Sequence, residues 1–414
     1  MKKLITVCII LSSLLLSGCF IFEQKTAVLS TNIPEVAAYV EIFNASQDTY
    51  RIVLEYSDTP ADIQHLNSEG APDIVISKNL SSNAVISAFA PLDKRIEKAA
   101  FDTSGFYTGL LKSGKRDTVQ YVLPVSFNIP AIMYKQGTLT SNFTGITISP
   151  EQLKEEARLF NERDTPQFRV KGFSPSWNND FLLYNSFIFG ADFAETAGGS
   201  LIWNGENLHA STAFCRDWTE TVNSGFQEIQ EFTLTYCYDP GYKLLNAERI
   251  GFYYTTLRDF FKIPAVDRSS LELKWLGSES AIPVCEDIIF TGIPNKSSGK
   301  TAAAAFIFWL LSEDTQKVLL ESSQFKRTRG FGFCEGLSAL HNVNELVLPE
   351  YYRSLIGAVP PVNYLDFPDS LPAEWEKLRS SVIIPWLITE TSENPDAGDL
   401  SAILQTWVKQ EKNE

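Results

Sequence analysis

Residues 26–43 read TAVLSTNIPEVAAYVEIF, and this stretch carries the clearest fold signal in the 414-residue chain. The apolar run at residues 26–30 is typical of a short buried strand. Thr31 or Asn32 then provides a helix N-cap, and Pro34 lies where a first-turn proline is favoured. Apolar residues follow at helical spacing: Val36, Tyr39, Val40 and Phe43. The stretch therefore predicts a β-strand that leads directly into an α-helix.

The same alternation continues along the chain. Further strand candidates lie at residues 51–56, 72–77, 119–124 and 131–135, and a strongly apolar helix is predicted at 302–311. Strands that alternate with helices indicate an α/β protein with mainly parallel sheets, whose sites lie at the carboxyl ends of the strands. A chain of 414 residues has the length of two or three domains.

Composition and charge exclude several classes of function. The formal net charge is −15, which disfavours a nucleic-acid partner. The three histidines, His65, His209 and His341, lie far apart, which gives no support to a zinc site. The sequence contains no Walker, dinucleotide-binding, G-x-S-x-G or H-E-x-x-H motif. We therefore predict no cofactor, no metal and no enzymatic activity.

The first nineteen residues predict the cellular compartment. Lys2 and Lys3 precede an apolar segment at residues 4–16, which is too short to span a bilayer. The sequence Leu16-Ser17-Gly18-Cys19 resembles the lipobox of bacterial lipoproteins. We predict a signal peptide at 1–18, lipidation of Cys19 and a tether at 19–25. The mature protein would then be an extracytoplasmic monomer, anchored by its lipid to a bacterial membrane at the periplasmic face or the cell surface.

Four further cysteines lie downstream: Cys215, Cys237, Cys285 and Cys334. They permit three complete pairings, and the sequence does not choose among them. An extracytoplasmic location allows one or two disulfides, whereas buried free thiols are the alternative.

Beyond the signal peptide, seven blocks resemble the extracellular solute-binding proteins of bacterial ABC importers, in the group that includes maltose-binding protein. The block with Pro72-Asp73-Ile74-Val75 and the block with Pro91-Leu92-Asp93 are examples. The blocks occur in the family's order at residues 30–44, 70–75, 90–93, 121–135, 147–153, 244–251 and 293–316.

The resemblance implies a two-lobed periplasmic-binding-protein fold of type II, with a ligand cleft between the lobes. Lobe one is expected at 26–127 and 282–334, and lobe two with the C-terminal helices at 128–281 and 335–414. The protein would capture a small solute, a sugar or oligosaccharide, and deliver it to ABC permease subunits. Ligand contacts made only in the closed state would drive closure.

Polar residues after the predicted strands are candidate ligand contacts. Thr31 and Asn32 could instead cap the following helix. Asn128 could instead form hydrogen bonds with backbone groups of the hinge. The full polar set is Thr31, Asn32, Ser77, Lys78, Asn79, Ser126 and Asn128.

Aromatic residues are the second set of candidates, because flat side chains pack against the apolar faces of sugar rings. The resemblance places Trp177, Tyr253, Tyr254 and Tyr364 in segments that reach the cleft in related proteins.

A second hypothesis is a lipoprotein of the same fold that acts as a sensor or adhesin without transport. The family's Trp is missing near residue 148, its Met is missing near residue 250, and polar cleft candidates are few.

Overall fold

The computed structural model describes residues 24–140, 143, 145–326 and 330–411. The predicted signal peptide at 1–18 and the predicted lipidation site Cys19 lie outside the described residues. No helix within the described ranges has both the length and the apolar character needed to cross a bilayer.

The strands are short, and most belong to two sheets. They are β1 (Lys25–Thr31), β2 (Tyr50–Tyr56), β3 (Ile74–Lys78), β4 (Lys115–Arg116), β5 (Val119–Gln120), β6 (Val122–Phe127), β7 (Pro130–Lys135), β8 (Thr147–Ile148), β9 (Ala194–Glu195), β10 (Leu201–Ile202), β11 (Phe252–Thr256), β12 (Leu271–Leu276), β13 (Ile282–Pro283), β14 (Ile289–Gly292), β15 (Leu337–Ser338) and β16 (Leu365–Asp366).

Helices connect the strands and cover the sheets. The α-helices are α1 (Val36–Ser46), α2 (Ile63–Leu66), α3 (Asn83–Ile86), α4 (Asp93–Ala99), α5 (Thr108–Ser113), α6 (Pro150–Asn161), α7 (Asn179–Ile188), α8 (Gly205–Thr221), α9 (Phe226–Tyr236), α10 (Gly241–Asn246), α11 (Leu257–Lys262), α12 (Ala265–Arg268), α13 (Lys300–Leu310), α14 (Glu313–Lys326), α15 (Leu348–Tyr351), α16 (Trp375–Leu378), α17 (Ile384–Glu390) and α18 (Leu400–Glu411). Short 3-10 or π segments lie at Pro175–Trp177, Val343–Val347, Arg353–Leu355, Val362–Tyr364 and Arg379–Ile383.

The protein has the predicted α/β fold with two lobes. The sheet of lobe one has the strand order β15-β6-β14-β3-β1-β2, and that of lobe two has the order β11-β7-β12-β8. In lobe one, Phe43 of α1 packs edge-on against Phe306 of α13, with ring centroids 5.2 Å apart. A separate core in lobe two contains Phe181 and Trp218, both fully buried. Each lobe therefore buries its own apolar core.

The strand directions differ from the prediction of mainly parallel sheets. β1 is parallel to β2 and β3, but β14 is antiparallel to both β3 and β6. In lobe two, β7 is antiparallel to β11 and β12. The prediction is wrong because a strand that returns from the other lobe enters its sheet from the opposite end.

The chain crosses between the lobes where β6 passes into β7, again where β12 leads through β13 to β14, and a third time between Leu355 and Leu371. The sequence-based division placed residue 335 onward in lobe two. In the structure β15 pairs with β6, and Leu340, Val343, Leu348 and Leu355 are buried in the first core. Residues 337–355 therefore belong to lobe one. Within the C-terminal part of the chain, the residues that pack in the second core begin at Leu371.

All four downstream cysteines are free thiols, so the structure contains none of the disulfides that the sequence left open. Cys215, Cys285 and Cys334 are buried, and Cys237 is half-buried.

Candidate functional site

A cavity of about 200 Å3 lies between the lobes. Lobe one contributes the end of β3, lobe two contributes α7, the start of α11 and the region of α16, and the crossing segment before β14 forms one wall. The lining residues are Lys78, Asn79, Asn128, Asp180, Tyr184, Thr256, Arg258, Asp259, Cys285, Glu286, Asp287, Trp375, Glu376 and Arg379. The cavity therefore has the position that a ligand cleft requires.

Asp287 is the centre of one ionic cluster in this cavity. Its Oδ2 lies 2.6 Å from Arg258 Nη2 and 3.5 Å from Lys78 Nζ. Arg258 also lies 3.7 Å, through Nε, from Glu335 Oε2. The cluster connects a lobe-two helix to the crossing segment and to the end of β3.

Charge and burial act in opposite directions on Asp287. Burial alone would raise the pKa of its carboxyl group, but the positive charges of Arg258 and Lys78 lower the pKa overall. Asp287 Oδ1 is buried and has no hydrogen-bond partner among the described residues. The carboxylate is therefore ionised, and its Oδ2 is held by Arg258 and Lys78.

Arg379 is the centre of a second cluster. Its guanidinium pairs with Asp180 and lies 2.9 Å, through Nε, from Glu286 Oε1. Tyr184 donates a hydrogen bond to Glu286 through its hydroxyl group. Burial raises the pKa of Tyr184 well above its ordinary value, so this phenol stays protonated. Two consecutive carboxylates, Glu286 and Asp287, are thus each held by a different arginine.

Aromatic side chains border the second cluster. Tyr184 stacks on Tyr254 with centroids 6.0 Å apart and ring planes at 14°. Trp375 lines the cavity and is otherwise buried in the core of lobe two. Tyr184 and Trp375 therefore border the cavity, although both side chains are almost fully buried.

Three predicted residues do meet at the cavity: Lys78, Asn79 and Asn128. Asn128 Oδ1 accepts hydrogen bonds from the backbone N–H groups of Ile129, at 3.0 Å, and Arg258, at 3.2 Å. Its backbone oxygen accepts a hydrogen bond from Cys285 N at 2.8 Å. Asn128 therefore satisfies backbone groups at the hinge, which was its alternative role. Its bonds hold the first crossing against the start of α11 and against the crossing segment at Cys285.

The other four polar candidates are absent from the lining of this cavity. Thr31 is fully buried, and its hydroxyl group donates to Ile76 O at 2.7 Å. Helix α1 has Glu35 rather than Thr31 or Asn32 at its N-cap. Asn32 is half-buried, and Ser77 and Ser126 are buried.

The four aromatic candidates also fall outside the lining. Trp177 stacks on Phe232, with centroids 6.1 Å apart, and donates through Nε1 to Thr233 Oγ1 at 3.0 Å. Tyr253 is half-buried and lies against Gly241, whereas Tyr254 is buried behind Tyr184. Tyr364 packs against the core of lobe one. Trp177 therefore packs within lobe two.

Sequence reasoning missed most of the charged lining, including Asp180, Arg258, Glu286, Asp287 and Arg379. These residues are dispersed over about half of the chain and form no motif. The consecutive carboxylates Glu286 and Asp287, close to the predicted start of a lobe-one segment at residue 282, were the one available signal. Among the residues that the structure describes, no group of three or more His, Cys, Asp and Glu side chains is placed to hold a metal ion.

No family model matches the chain, and no curated protein matches it. Among solved structures, the chain is similar to the sugar-binding protein MalE from Xanthomonas citri, with a TM-score of 0.68, 12% identity and coverage of 93% of this chain and 96% of that one. It is also similar to the cyclic alpha-maltosyl-1,6-maltose binding protein from Arthrobacter globiformis, with a TM-score of 0.64, 16% identity and coverage of 92% and 97%. A third is the ABC substrate-binding protein Lmo0181 from Listeria monocytogenes, solved with cycloalternan, with a TM-score of 0.60, 15% identity and coverage of 90% and 95%.

These likenesses extend over nearly the full length of both partners in each comparison. The chain therefore has the two-lobed fold of the extracytoplasmic substrate-binding proteins of ABC importers. The resemblance predicted from the sequence is confirmed at the level of the fold.

Proposed function

We propose that this protein is the ligand-binding lipoprotein of an ABC importer, and that it captures a sugar or oligosaccharide in the cavity between its lobes. The single observation that carries the proposal is the position of the cavity. Its polar lining comes from both lobes and from the crossing segment between them. A ligand there contacts both lobes at once and so favours the closed state.

The charges of the lining favour an uncharged ligand. Five carboxylates face three cations, and Lys78, Arg258 and Arg379 are all paired with carboxylates. A phosphate or carboxylate ligand would meet no free cation and would have to separate an existing ion pair. Sugar hydroxyl groups can instead donate to the carboxylates and accept from the guanidinium groups.

Two aromatic residues border the same cavity, and each is almost fully buried in the structure. Tyr184 and Trp375 lie beside the carboxylates of the second cluster. Sugar rings present apolar C–H faces to such side chains and hydroxyl groups around the edge. The structural neighbours include proteins described as sugar-binding and as binding cyclic alpha-maltosyl-1,6-maltose.

The anchor and the location belong to the same proposal. Lipid attached to Cys19 would hold the protein at an extracytoplasmic membrane face, close to the permease that receives the ligand. Diacylation of one cysteine provides the two chains that stable anchoring requires. The proposed role is binding and delivery without covalent chemistry.

A thermal-shift titration of the full-length protein, purified in detergent, tests the ligand class. Neutral mono- and oligosaccharides are compared with uronic acids and sugar phosphates of matched size. A ligand at 100 times its Kd is expected to stabilise the folded state by about 2.7 kcal/mol. Stabilisation by anionic sugars alone, or by no sugar in the panel, would contradict the proposal.

Stimulation of ATP hydrolysis by the permease complex tests delivery. The ligand-loaded protein should raise the rate, and the ligand-free protein should raise it less. A ligand that binds without stimulating any permease encoded next to this gene would favour the sensor or adhesin hypothesis.

A further inference from the structure

A second cavity, of about 320 Å3, lies on lobe one. It is bordered by α3, by the segment that follows α3, and by the hairpin of β4 and β5. All of its lining residues belong to lobe one, and none of them lines the cavity between the lobes. A ligand in this second cavity therefore needs no contact with the cleft and no closure of the lobes.

Arg116 is the one charged residue in the lining of the second cavity. Its side chain is half-buried, and Nη2 is buried without a hydrogen-bond partner among the described residues. Within the same part of the chain, no carboxylate forms an ion pair with this guanidinium group. A guanidinium group carries five N–H donors, and a buried donor without an acceptor is costly. Arg116 therefore lacks an acceptor that its chemistry requires.

Glu195 is a carboxylate near Arg116, but its hydrogen bonds go elsewhere. Its Oε2 accepts from the backbone N–H of Asn83, at 2.7 Å, and from the hydroxyl group of Ser370, at 3.2 Å. Burial raises the pKa of Glu195, and the positive charge of Arg116 only partly opposes this rise. Glu195 thus lies within the electric field of Arg116 without being bonded to it.

The hairpin that carries Arg116 is fixed against lobe one. Arg116 pairs with Val119 across the hairpin. The next residue, Gln120, is buried and donates through Nε2 to Val122 O at 2.7 Å and to Leu111 O at 3.1 Å. The backbone at Arg116 therefore holds a defined position at the edge of the cavity.

The rest of the lining is neutral and in large part apolar. Ile86 and Phe89 are buried in the first core, whereas Pro91 is exposed and Tyr121 is half-buried. Pro91 and Tyr121 therefore leave apolar surface beside the guanidinium group. A single cation in neutral surroundings suits a ligand with one negative charge, and a dianion would bring a second, unbalanced charge close to Glu195.

We propose that this cavity is a second binding site, which takes a small monocarboxylate with an apolar body. The carboxylate oxygens accept hydrogen bonds from the guanidinium group of Arg116, and the apolar body packs against Tyr121 and Pro91. The cleft does not compete for such a ligand, because its three cations are already paired with carboxylates. The proposal does not depend on sugar binding in the cleft.

Titration of the full-length protein with benzoate and with benzamide tests the charge. The two probes have nearly the same shape, but only benzoate is an anion at neutral pH. Ligand-observed NMR measures the Kd of each probe, with detergent alone as the blank. Benzoate should bind about tenfold more tightly than benzamide. Equal affinities, or no saturable binding of benzoate, would overturn the proposal.

A comparison of Arg116→Ala with Lys115→Ala tests the location. Lys115 precedes Arg116 in β4, is exposed and does not line the cavity, so its replacement removes the same charge from the same hairpin. Arg116→Ala should weaken benzoate binding about tenfold, and Lys115→Ala by less than about twofold. Arg116→Gln, which keeps most of the side-chain length, should show a similar loss, and circular dichroism verifies the folding of each variant.

Three results of this comparison would count against the site. An unchanged Kd in Arg116→Gln and Arg116→Ala, or an equal loss in Lys115→Ala, would overturn the location. Inorganic phosphate provides the third test, as a competitor. Displacement of benzoate by phosphate at concentrations below the Kd of benzoate would overturn the assignment to a monocarboxylate.

Discussion

Arg258 and Asp287 form an ion pair, 2.6 Å between Nη2 and Oδ2, that joins α11 of lobe two to the crossing segment that leads into lobe one. The backbone N–H of Arg258 is itself held by Asn128, a residue of the first crossing. Two crossings that are remote in sequence are thereby tied to one residue, Arg258, one through its backbone and the other through its guanidinium group. This arrangement sets the geometry of the wall against which a ligand would close.

Replacement of Asp287 by asparagine should lower the free energy of unfolding by about 3 kcal/mol at neutral pH, because Arg258 loses its closest charged partner in a poorly hydrated site. Chemical denaturation measures the loss. The exposed Asp259, which lies 3.9 Å from Lys262, provides the control, and its replacement by asparagine should cost less than about 1 kcal/mol.

The same variant should show a defined pH dependence. The positive charges lower the pKa of Asp287 in the folded state below the unfolded value of about 3.9. Its contribution to stability is therefore present above pH about 4 and is lost as the pH falls through the folded pKa. The stability difference between wild type and Asp287→Asn should shrink below pH about 4. A difference that stays constant to lower pH would contradict the assigned ionisation.

Arg379→Met should weaken binding of a neutral sugar at least tenfold, because Asp180 and Glu286 lose the cation that orients both carboxylates in the cavity. Isothermal titration measures the Kd, and circular dichroism verifies folding. Lys377→Met is the matched control, since Lys377 is exposed and pairs only with Glu411 among the described residues, at 3.2 Å. Equal losses in the two variants would argue against a site at Arg379.

Replacement of Trp177 and of Trp375 should distinguish an effect on folding stability from an effect on ligand affinity. Trp177→Ala removes a ring that packs on Phe232, so it should lower the free energy of unfolding by about 3 kcal/mol and leave sugar affinity unchanged. Trp375→Ala removes a ring from the cavity lining and should lower both. Calorimetric unfolding and a sugar titration on the same samples make the comparison. Loss of affinity in Trp177→Ala alone would reverse these assignments.

The four free cysteines should resist alkylation in the native protein. Burial raises the pKa of Cys215 to about 12 and that of Cys237 to about 11, so few reactive thiolates form near pH 8. Mass spectrometry after iodoacetamide treatment should find slow labelling in native buffer, and labelling of Cys215, Cys237, Cys285 and Cys334 in denaturant without a reductant. Any native labelling should disappear in Cys237→Ser. Protection of two cysteines in denaturant would instead reveal a disulfide.

The sequence predicted those features that depend on local patterns. The strand and helix in residues 25–46 follow from apolar spacing, and Lys78 and Asn79 follow from their position at the end of a buried strand. The charged pairs of the cavity did not follow, since Arg258, Asp287 and Arg379 meet only through the tertiary fold. The resemblance places Trp177 in a segment that reaches the cleft, and the structure shows it packed on Phe232 and hydrogen-bonded to Thr233, contacts more than fifty residues away that no local pattern predicts. The direction of β14 depends on where the chain re-enters the sheet, which no local pattern records.

The insertion of β14 between β3 and β6 has a consequence for biosynthesis. A ribosome releases both neighbours of this strand long before it makes the strand itself, so the first sheet has a gap at its middle during most of translation. Contacts of such wide sequence separation also form slowly once the chain is complete. The first lobe can therefore complete its sheet only after residue 292 has left the ribosome.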